Sequence, residues 1–262
     1  MNRLRRIALV MLGGILAFAA LLVTFNSELR GGLLLTVAPG YFREIQFLRF
    51  TDGQGQELYL LGTIHEGHLT TPSYSLWHLQ AVLEHLKPDL LLVESRPVEL
   101  AKGNWGDGPI EMPFASLTAQ AEGTEVQGMD WWVKESVTAM GSNSDEREDR
   151  MFQNILTALP NHRTVLILTG WSHVEGFQRR LRGKRYDELP FSSAERQRLF
   201  DMAGITPVFP KGMTHYIQKR IEIDRLALQS ETDSFWQDRI EKGIAVRREL
   251  LKTIAEVGEQ QP

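Results

Sequence analysis

Residues 57–65 read ELYLLGTIH and residues 89–94 read DLLLVE, and these two stretches decide the fold. Each is a short apolar run that ends in a polar residue, which is typical of a strand buried in a sheet. Between them, apolar residues recur at helical spacing over residues 76–86, after a Thr71-Pro72 pair that predicts a helix start. Strand, helix and strand form a βαβ unit, whose crossover is almost always right-handed.

The same alternation of strands and helices continues along the chain. Strands are predicted at residues 125–130, 164–169 and 207–209, and helices at 145–159, 172–181 and 234–257. The pair Ser192-x-x-Glu195 is a capping box that predicts one more helix, which we expect to end at Gly204. The sequence therefore predicts an α/β fold, with a mixed, mostly parallel sheet covered by helices.

Residues 97–123 differ in character, because glycine and proline stand among aromatic residues there. We interpret this segment as a long loop or lid rather than a linker, since the α/β pattern resumes after it.

The N-terminal segment predicts a membrane anchor. Arg3, Arg5 and Arg6 precede an uncharged stretch from Ile7 to Phe25. At ~1.5 Å per residue this stretch is about 28 Å long, close to the hydrocarbon core of a bilayer. A cleaved signal peptide is the alternative, with Ala17-Phe18-Ala19 as its cleavage site, but the apolar run continues beyond that site.

A retained anchor over residues 1–28 is therefore expected, followed by a juxtamembrane segment at 29–47. The positive-inside rule keeps the arginines cytoplasmic. The protein is then a single-pass membrane protein that contacts the bilayer through residues 7–25. Its soluble part is extracytoplasmic, which means periplasmic in a Gram-negative cell.

Composition limits what this soluble part can be. The chain has 262 residues, a net charge of −4 and no cysteine. Disulfide frameworks, zinc–thiolate sites and cysteine nucleophiles are excluded, so a metal needs nitrogen and oxygen ligands. Beyond the N-terminus no Lys/Arg run is long enough to follow a phosphate backbone, so we expect no nucleic-acid binding. We divide the remainder into an α/β domain at 48–220 and a helical extension at 221–262.

Three strand ends carry polar residues that suit catalysis. His65 and Glu94 follow the first two strands, and His173 follows the strand at 164–169. Both histidines stand in Gly-x-x-His, in which glycine allows a sharp turn off the strand. Ligands bind outside the carboxyl ends of strands in α/β sheets. Two imidazoles and one carboxylate make a three-ligand set for Zn²⁺, Mn²⁺ or Co²⁺ that leaves a position for water.

Structural interpretations of the same residues stay open. A histidine at a strand end is often only hydrogen-bonded, and Glu94 is placed to cap a helix. Arg147 is a candidate to bind a substrate carboxylate or an oxyanion, but it lies in the charge run DEREDR, which is typical of a solvated helix turn. His68 is either a further ligand or a loop residue. The Trp131-Trp132 pair either walls a pocket or packs.

Four blocks in this order resemble the TraB/PrgY–Tiki–GumN superfamily: LYLLGTIHEGH, LLLVESRP, DEREDRMFQNI and VLILTGWSHVEGF. The erythromycin esterases and the ChaN-like haem-binding proteins are its more distant relatives. The resemblance implies a metal-dependent hydrolase fold, with membrane-tethered, metalloprotease-like activity in the Tiki branch. It assigns the two Gly-x-x-His motifs to His65 and His173, the strand-end acid to Glu94, the acid after the middle strand to Asp130, and the arginine to Arg147.

The leading hypothesis is therefore a membrane-anchored hydrolase that uses a divalent metal and cleaves peptide bonds. His65, Glu94 and His173 would be the ligands, Asp130 would orient or deprotonate the water, and Arg147 would hold the oxyanion. One alternative is a protein that binds haem, a peptide or another small ligand without turnover. Another is a metal-free esterase with His65 or His173 as its general base.

Overall fold

A six-stranded sheet forms the centre of the protein, and leucine and β-branched side chains on both of its faces are buried. The computed structural model describes residues 45–104, 108–132 and 145–259. Four adjacent strands are parallel to one another: β2 (Glu57–Thr63), β3 (Leu90–Val93), β4 (Glu125–Gly128) and β5 (Thr164–Gly170). Two antiparallel strands, β1 (Phe47–Thr51) and β6 (Asp187–Leu189), extend one edge. The strand order is β4-β3-β5-β2-β1-β6.

Helices flank this sheet, so the protein is an α/β protein with a mixed sheet, as predicted. In chain order they are α1 (Leu76–Leu86), α2 (Pro97–Ala101), α3 (Glu111–Ala121), α4 (Asp145–Ala158), α5 (Trp171–Arg182), α6 (Ser193–Leu199), α7 (Met213–Ser230) and α8 (Ser234–Val257). Two short 3-10 turns, His65–Leu69 and Pro72–Tyr74, connect β2 to α1. All of these elements belong to one compact unit.

The register of the parallel strands brings their carboxyl ends to one edge. Thr63 pairs with Gly170, and Val93 pairs with Leu168 on one side and Gly128 on the other. Side chains that directly follow β2, β3, β4 and β5 therefore emerge close together. This edge is where ligands bind in sheets of this kind.

The prediction of a loop or lid at residues 97–123 is wrong for most of its length. The segment contains helices α2 and α3, and the Phe114 side chain on α3 is fully buried. Phe114 packs edge-on against Trp77 and Phe209, with ring centroids 5.6 and 6.1 Å away. Because helix α3 is buried on nearly every side, its apolar residues are not confined to one stripe. The helical periodicity of apolar residues is therefore weak in this part of the sequence.

Several boundaries also differ from those expected. Helix α1 is capped by Ser75 rather than Thr71, because His78 completes a capping box with Ser75. The Ser192–Glu195 capping box forms as predicted, but the helix that it opens ends at Leu199. Residues 207–209 contribute only an isolated bridge from Phe209 to Glu259. The helix predicted at residues 234–257 has those bounds.

No helix in the part of the chain that the structure describes is long and apolar enough to span a bilayer. The anchor predicted at residues 1–28 lies outside the described residues, as does the juxtamembrane segment up to residue 44.

Candidate functional site

The site is built at the carboxyl edge of the sheet. His65, Glu94, Asp130 and His173 follow β2, β3, β4 and β5, and Arg147 reaches the same place from the first turn of α4. Glu94, Asp130, Arg147 and His173 are each more than nine-tenths buried. Titratable groups are rarely buried without a partner, so the contacts among them define the site.

Arg147 links the ends of β3 and β4. Its Nη2 donates to Glu94 Oε1 at 2.9 Å and to Asp130 Oδ2 at 3.1 Å, and its Nε donates to Asp130 Oδ1 at 2.9 Å. Asp130 Oδ1 also accepts the backbone N–H groups of Trp131 and Trp132, at 2.7 and 3.1 Å. Asp130 therefore holds the guanidinium in a fixed orientation, and Arg147 is not the solvated residue that its charge run also allowed.

Glu94 is surrounded by hydrogen-bond donors. Its Oε2 accepts the Thr169 hydroxyl at 2.8 Å and the Gly170 N–H at 2.7 Å, while Oε1 is bound to Arg147 and lies 3.6 Å from His173 Nε2. Burial by itself would raise the pKa of this carboxyl group. The positive charges of His173, Arg147 and His65 outweigh burial and lower the pKa to about 2.

His65 occupies a strained position at the open side of the site. Its φ angle of 51° is in the left-handed region, which non-glycine residues seldom adopt, and such outliers concentrate at functional sites. Its Nδ1 donates to Glu111 Oε1 at 2.9 Å, and 39% of its side chain is exposed. Burial opposes protonation, but the charges of Glu111, Glu94 and Glu66 outweigh it and raise the pKa to about 9.

Glu111 is the acid that contributes most to the raised pKa of His65. It is fully buried, and its Oε1 also accepts the Thr63 hydroxyl at 2.6 Å. Burial opposes its ionisation, but the positive charge of His65 outweighs this and lowers the pKa of Glu111. Its Oε2 is buried with no hydrogen-bond partner among the described residues. Such an oxygen marks a place where a water, a cation or a substrate group would be accepted.

His173 is held in a similar way. Its Nδ1 donates to Glu148 Oε1 at 3.1 Å, and Arg180 Nη1 donates to Glu148 Oε2 at 2.7 Å. Burial would raise the pKa of Glu148, but its bonds to His173 and Arg180 lower it. Both imidazoles of the site are thus oriented through Nδ1 by a largely buried carboxylate.

Glycine is required where these groups approach the backbone. A Cβ on Gly170 would lie 3.0 Å from His65 Nε2 and 3.4 Å from Glu94 Oε2. A Cβ on Gly176 would overlap the Glu148 carboxylate. The glycine of the second Gly-x-x-His motif therefore makes room for the first histidine.

The chemistry of the donor set fits a divalent metal in part. Metal-binding histidines almost always donate their second ring N–H to a carboxylate, a backbone carbonyl or water. His65 and His173 each donate Nδ1–H to a carboxylate, so Nε2 would be the ligating atom. The Glu94 oxygens already accept N–H and O–H donors, so Glu94 can ligate only by exchanging one of them. In the described ranges no three His, Asp or Glu side chains are already arranged as a ligand set.

Of the remaining candidates, His68 and Trp132 make the following contacts. His68 is buried, its Nδ1 donates to the Tyr74 carbonyl at 2.8 Å, and its Nε2 accepts the Ile64 N–H at 3.2 Å. Both of its ring nitrogens therefore bind backbone, and burial lowers its pKa. Trp132 lies beside the site and contacts Trp236 of α8, with ring centroids 6.0 Å apart.

Sequence reasoning missed Glu111 and Glu148. Two signals of helix α3 were present, namely Pro113 in its first turn and Gly123 just beyond its end, where φ is 81°. Glu148 stands next to Arg147 in the charge run, and nothing local distinguishes it from its solvated neighbours.

Comparison with known proteins gives no match of this chain to a family model, to a curated protein or to a solved structure. What the site does must therefore follow from its own contacts and charges.

Proposed function

We propose that this chain is a membrane-anchored hydrolase of the TraB/Tiki type that uses a divalent metal and cleaves peptide bonds. The observation that carries the proposal is the convergence at one sheet edge of two carboxylate-held imidazoles and a buried Glu94–Arg147–Asp130 network. Charged groups of both signs, held rigidly beside an accessible edge, are typical of catalytic centres. The bilayer contact through residues 7–25 and the extracytoplasmic location are parts of the same proposal.

In this proposal each residue has one role. His65 and His173 would hold a metal through Nε2, His65 only after losing the proton that its raised pKa of about 9 retains, and Glu94 would be the third ligand once a donor is exchanged. Mn, Co or Zn bound by these residues would supply Lewis acidity toward a water and toward the scissile carbonyl. Glu111 and Glu148 orient the imidazoles. Arg147 stabilises the negative charge that develops on the carbonyl oxygen, and Asp130 keeps its guanidinium in place.

A metal-free esterase is the second candidate, and a specific observation favours it. The Glu94 oxygens are engaged by donors, while His65 is both paired with a buried carboxylate and exposed to solvent. An imidazole oriented in this way can exchange a proton with water or with a leaving group.

Metal content and turnover of the purified full chain test both candidates. We expect about one equivalent of Mn, Co or Zn after reconstitution, lost in His65→Ala and in His173→Ala. Peptide hydrolysis should fall about 100-fold or more in Arg147→Lys, because lysine cannot reproduce the two-pronged contact. The chain should require detergent for release from membranes.

His215→Ala is the matched control, since His215 stands in a third Gly-x-x-His sequence and is exposed on α7. Its metal content and activity should equal those of the wild type. Turnover that survives chelation and needs His65 would replace the leading proposal with the esterase. A chain that neither binds metal nor hydrolyses peptides or esters would contradict both, and bound haem or peptide would then be sought.

A further inference from the structure

A cavity lies at the opposite edge of the sheet from His65 and Glu94. It has a volume of about 860 Å³ and lies where β2 and β5 begin. Three connections form its walls: the β1–β2 turn, the segment between α4 and β5, and the segment between α5 and β6. Its size is within the range of small-molecule sites, roughly 300–1,000 Å³.

The cavity is positively charged, although the chain as a whole carries −4. Arg163, Lys184 and Arg185 line it, and Asp52 is the one acid among the described residues that do so. The Asp52 carboxylate is already used within its own turn, where Oδ1 accepts the N–H groups of Gln54 and Gln56 at 2.8 and 3.0 Å. Among the residues described, none forms an ion pair with the side chain of Arg163 or Lys184.

The three walls are joined by one side chain, that of Gln56. Its Nε2 donates to the carbonyls of Leu159 and His162 at 2.9 and 2.6 Å, and its Oε1 accepts the Tyr186 hydroxyl at 2.8 Å. The Arg163 N–H donates to Asp89 Oδ2 at 2.7 Å, which holds that wall against the sheet. The cavity is therefore preformed, and a ligand would not have to order its loops.

Apolar groups accompany the cations. Leu156 and Pro160 line the cavity with accessible apolar side chains, and Leu159 and the Tyr186 ring lie buried behind them in the core. We propose that it binds a small organic anion, with a phosphate or carboxylate group against Arg163, Lys184 and Arg185 and an apolar body against Leu156 and Pro160. A site with this composition recognises both parts of such a ligand at once.

Calorimetry on the full chain in neutral detergent tests the proposal, with phenyl phosphate, inorganic phosphate and phenol as probes. We expect saturable binding of phenyl phosphate, weaker by about tenfold in Arg163→Ala and in Lys184→Ala, since each removes a charge-assisted contact. Lys211→Ala is the matched control, because Lys211 is an exposed lysine that does not line the cavity, and it should bind as the wild type does.

Three results would overturn the proposal: equal affinity in wild type and both cavity variants, equal affinity for phenol and phenyl phosphate, or equal affinity for inorganic and phenyl phosphate.

The anion has two possible sources, a free metabolite or a lipid head group. If phosphatidic acid added to the micelles competes with phenyl phosphate, a lipid is the source. If phenyl phosphate binds without such competition, the ligand is a free anion. Both of these outcomes support the site.

Discussion

At the scale of single residues, the partner of a catalytic candidate matters as much as the candidate. His65 is conspicuous in the sequence, yet its orientation and its pKa depend on Glu111. Glu111 is a fully buried carboxylate that no local sequence pattern identifies. The pair combines a strained backbone at His65 with a charge that burial would otherwise oppose. Strain of this kind persists only where surrounding contacts maintain it, and the bond to Glu111 is one such contact.

The variant Glu111→Gln tests this dependence. It keeps the shape of the side chain but removes its charge, so the pKa of His65 should fall from about 9 towards or below its ordinary value of 6.5. An NMR titration of the His65 ring protons measures the change. Glu66→Gln is the matched control, because Glu66 is the most weakly acting of the three acids that raise this pKa, and it should shift the midpoint much less.

If the His65 midpoint were the same in Glu111→Gln and in the wild type, the assignment of Glu111 as its partner would be lost.

At the scale of elements, the site depends on how closely two helices approach each other. Helix α4 supplies Arg147 and Glu148, and helix α5 supplies His173. Gly176 on α5 lies against the Glu148 carboxylate and leaves no room for a Cβ. The α4–α5 contact therefore sets the distance between Glu148 and His173.

We expect Gly176→Ala to displace the Glu148 carboxylate and to break its bond from His173. Overpacking of this kind lowers the free energy of unfolding by about 1–3 kcal/mol. Urea unfolding measures the change in the free energy of unfolding. The activity assay shows whether the loss of the Glu148 contact impairs His173. In Gly183→Ala, the matched control at the end of the same helix, the nearest atoms lie at an ordinary 3.5 Å. That variant should change stability by less than about 1 kcal/mol. Equal effects of the two substitutions would contradict this account of α5.

At the scale of the whole molecule, the buried charges make stability depend on pH in both directions. Glu94 has a lowered pKa, so its contribution is present above about pH 4.5 and is lost as the pH falls towards about 2. His65 has a raised pKa, so its contribution is complete below pH 6.5 and is lost as the pH rises through about 9. Stability should therefore be highest between these two limits.

Urea unfolding of the wild type and of His65→Gln across this alkaline range tests the prediction. The wild type should lose stability between about pH 6.5 and about pH 9, and the variant should lose less over the same interval. The difference between the two proteins should thus shrink as the pH rises. A difference that stays constant from about pH 6 to about pH 10 would show that protonation of His65 does not stabilise the fold.

The α/β architecture and the positions of His65, Glu94 and His173 at strand ends could be predicted from the sequence alone. This information is local, because a continuous apolar run predicts a buried strand and the next polar residue marks its end. The strand at 164–169 and the helix at 234–257 were predictable for the same reason.

Which charged side chains form pairs depends on the packing of elements that are distant in sequence. Glu111 is 46 residues from His65 along the chain, and Arg147 is 53 residues from Glu94. No local pattern encodes such pairs, and a buried carboxylate looks in sequence like a solvated one. Helix α3 was missed because it is buried on nearly all sides, and its apolar period is therefore weak. The pairs His65–Glu111 and Arg147–Glu94 form because packing buries these side chains together, and local periodicity does not encode that packing.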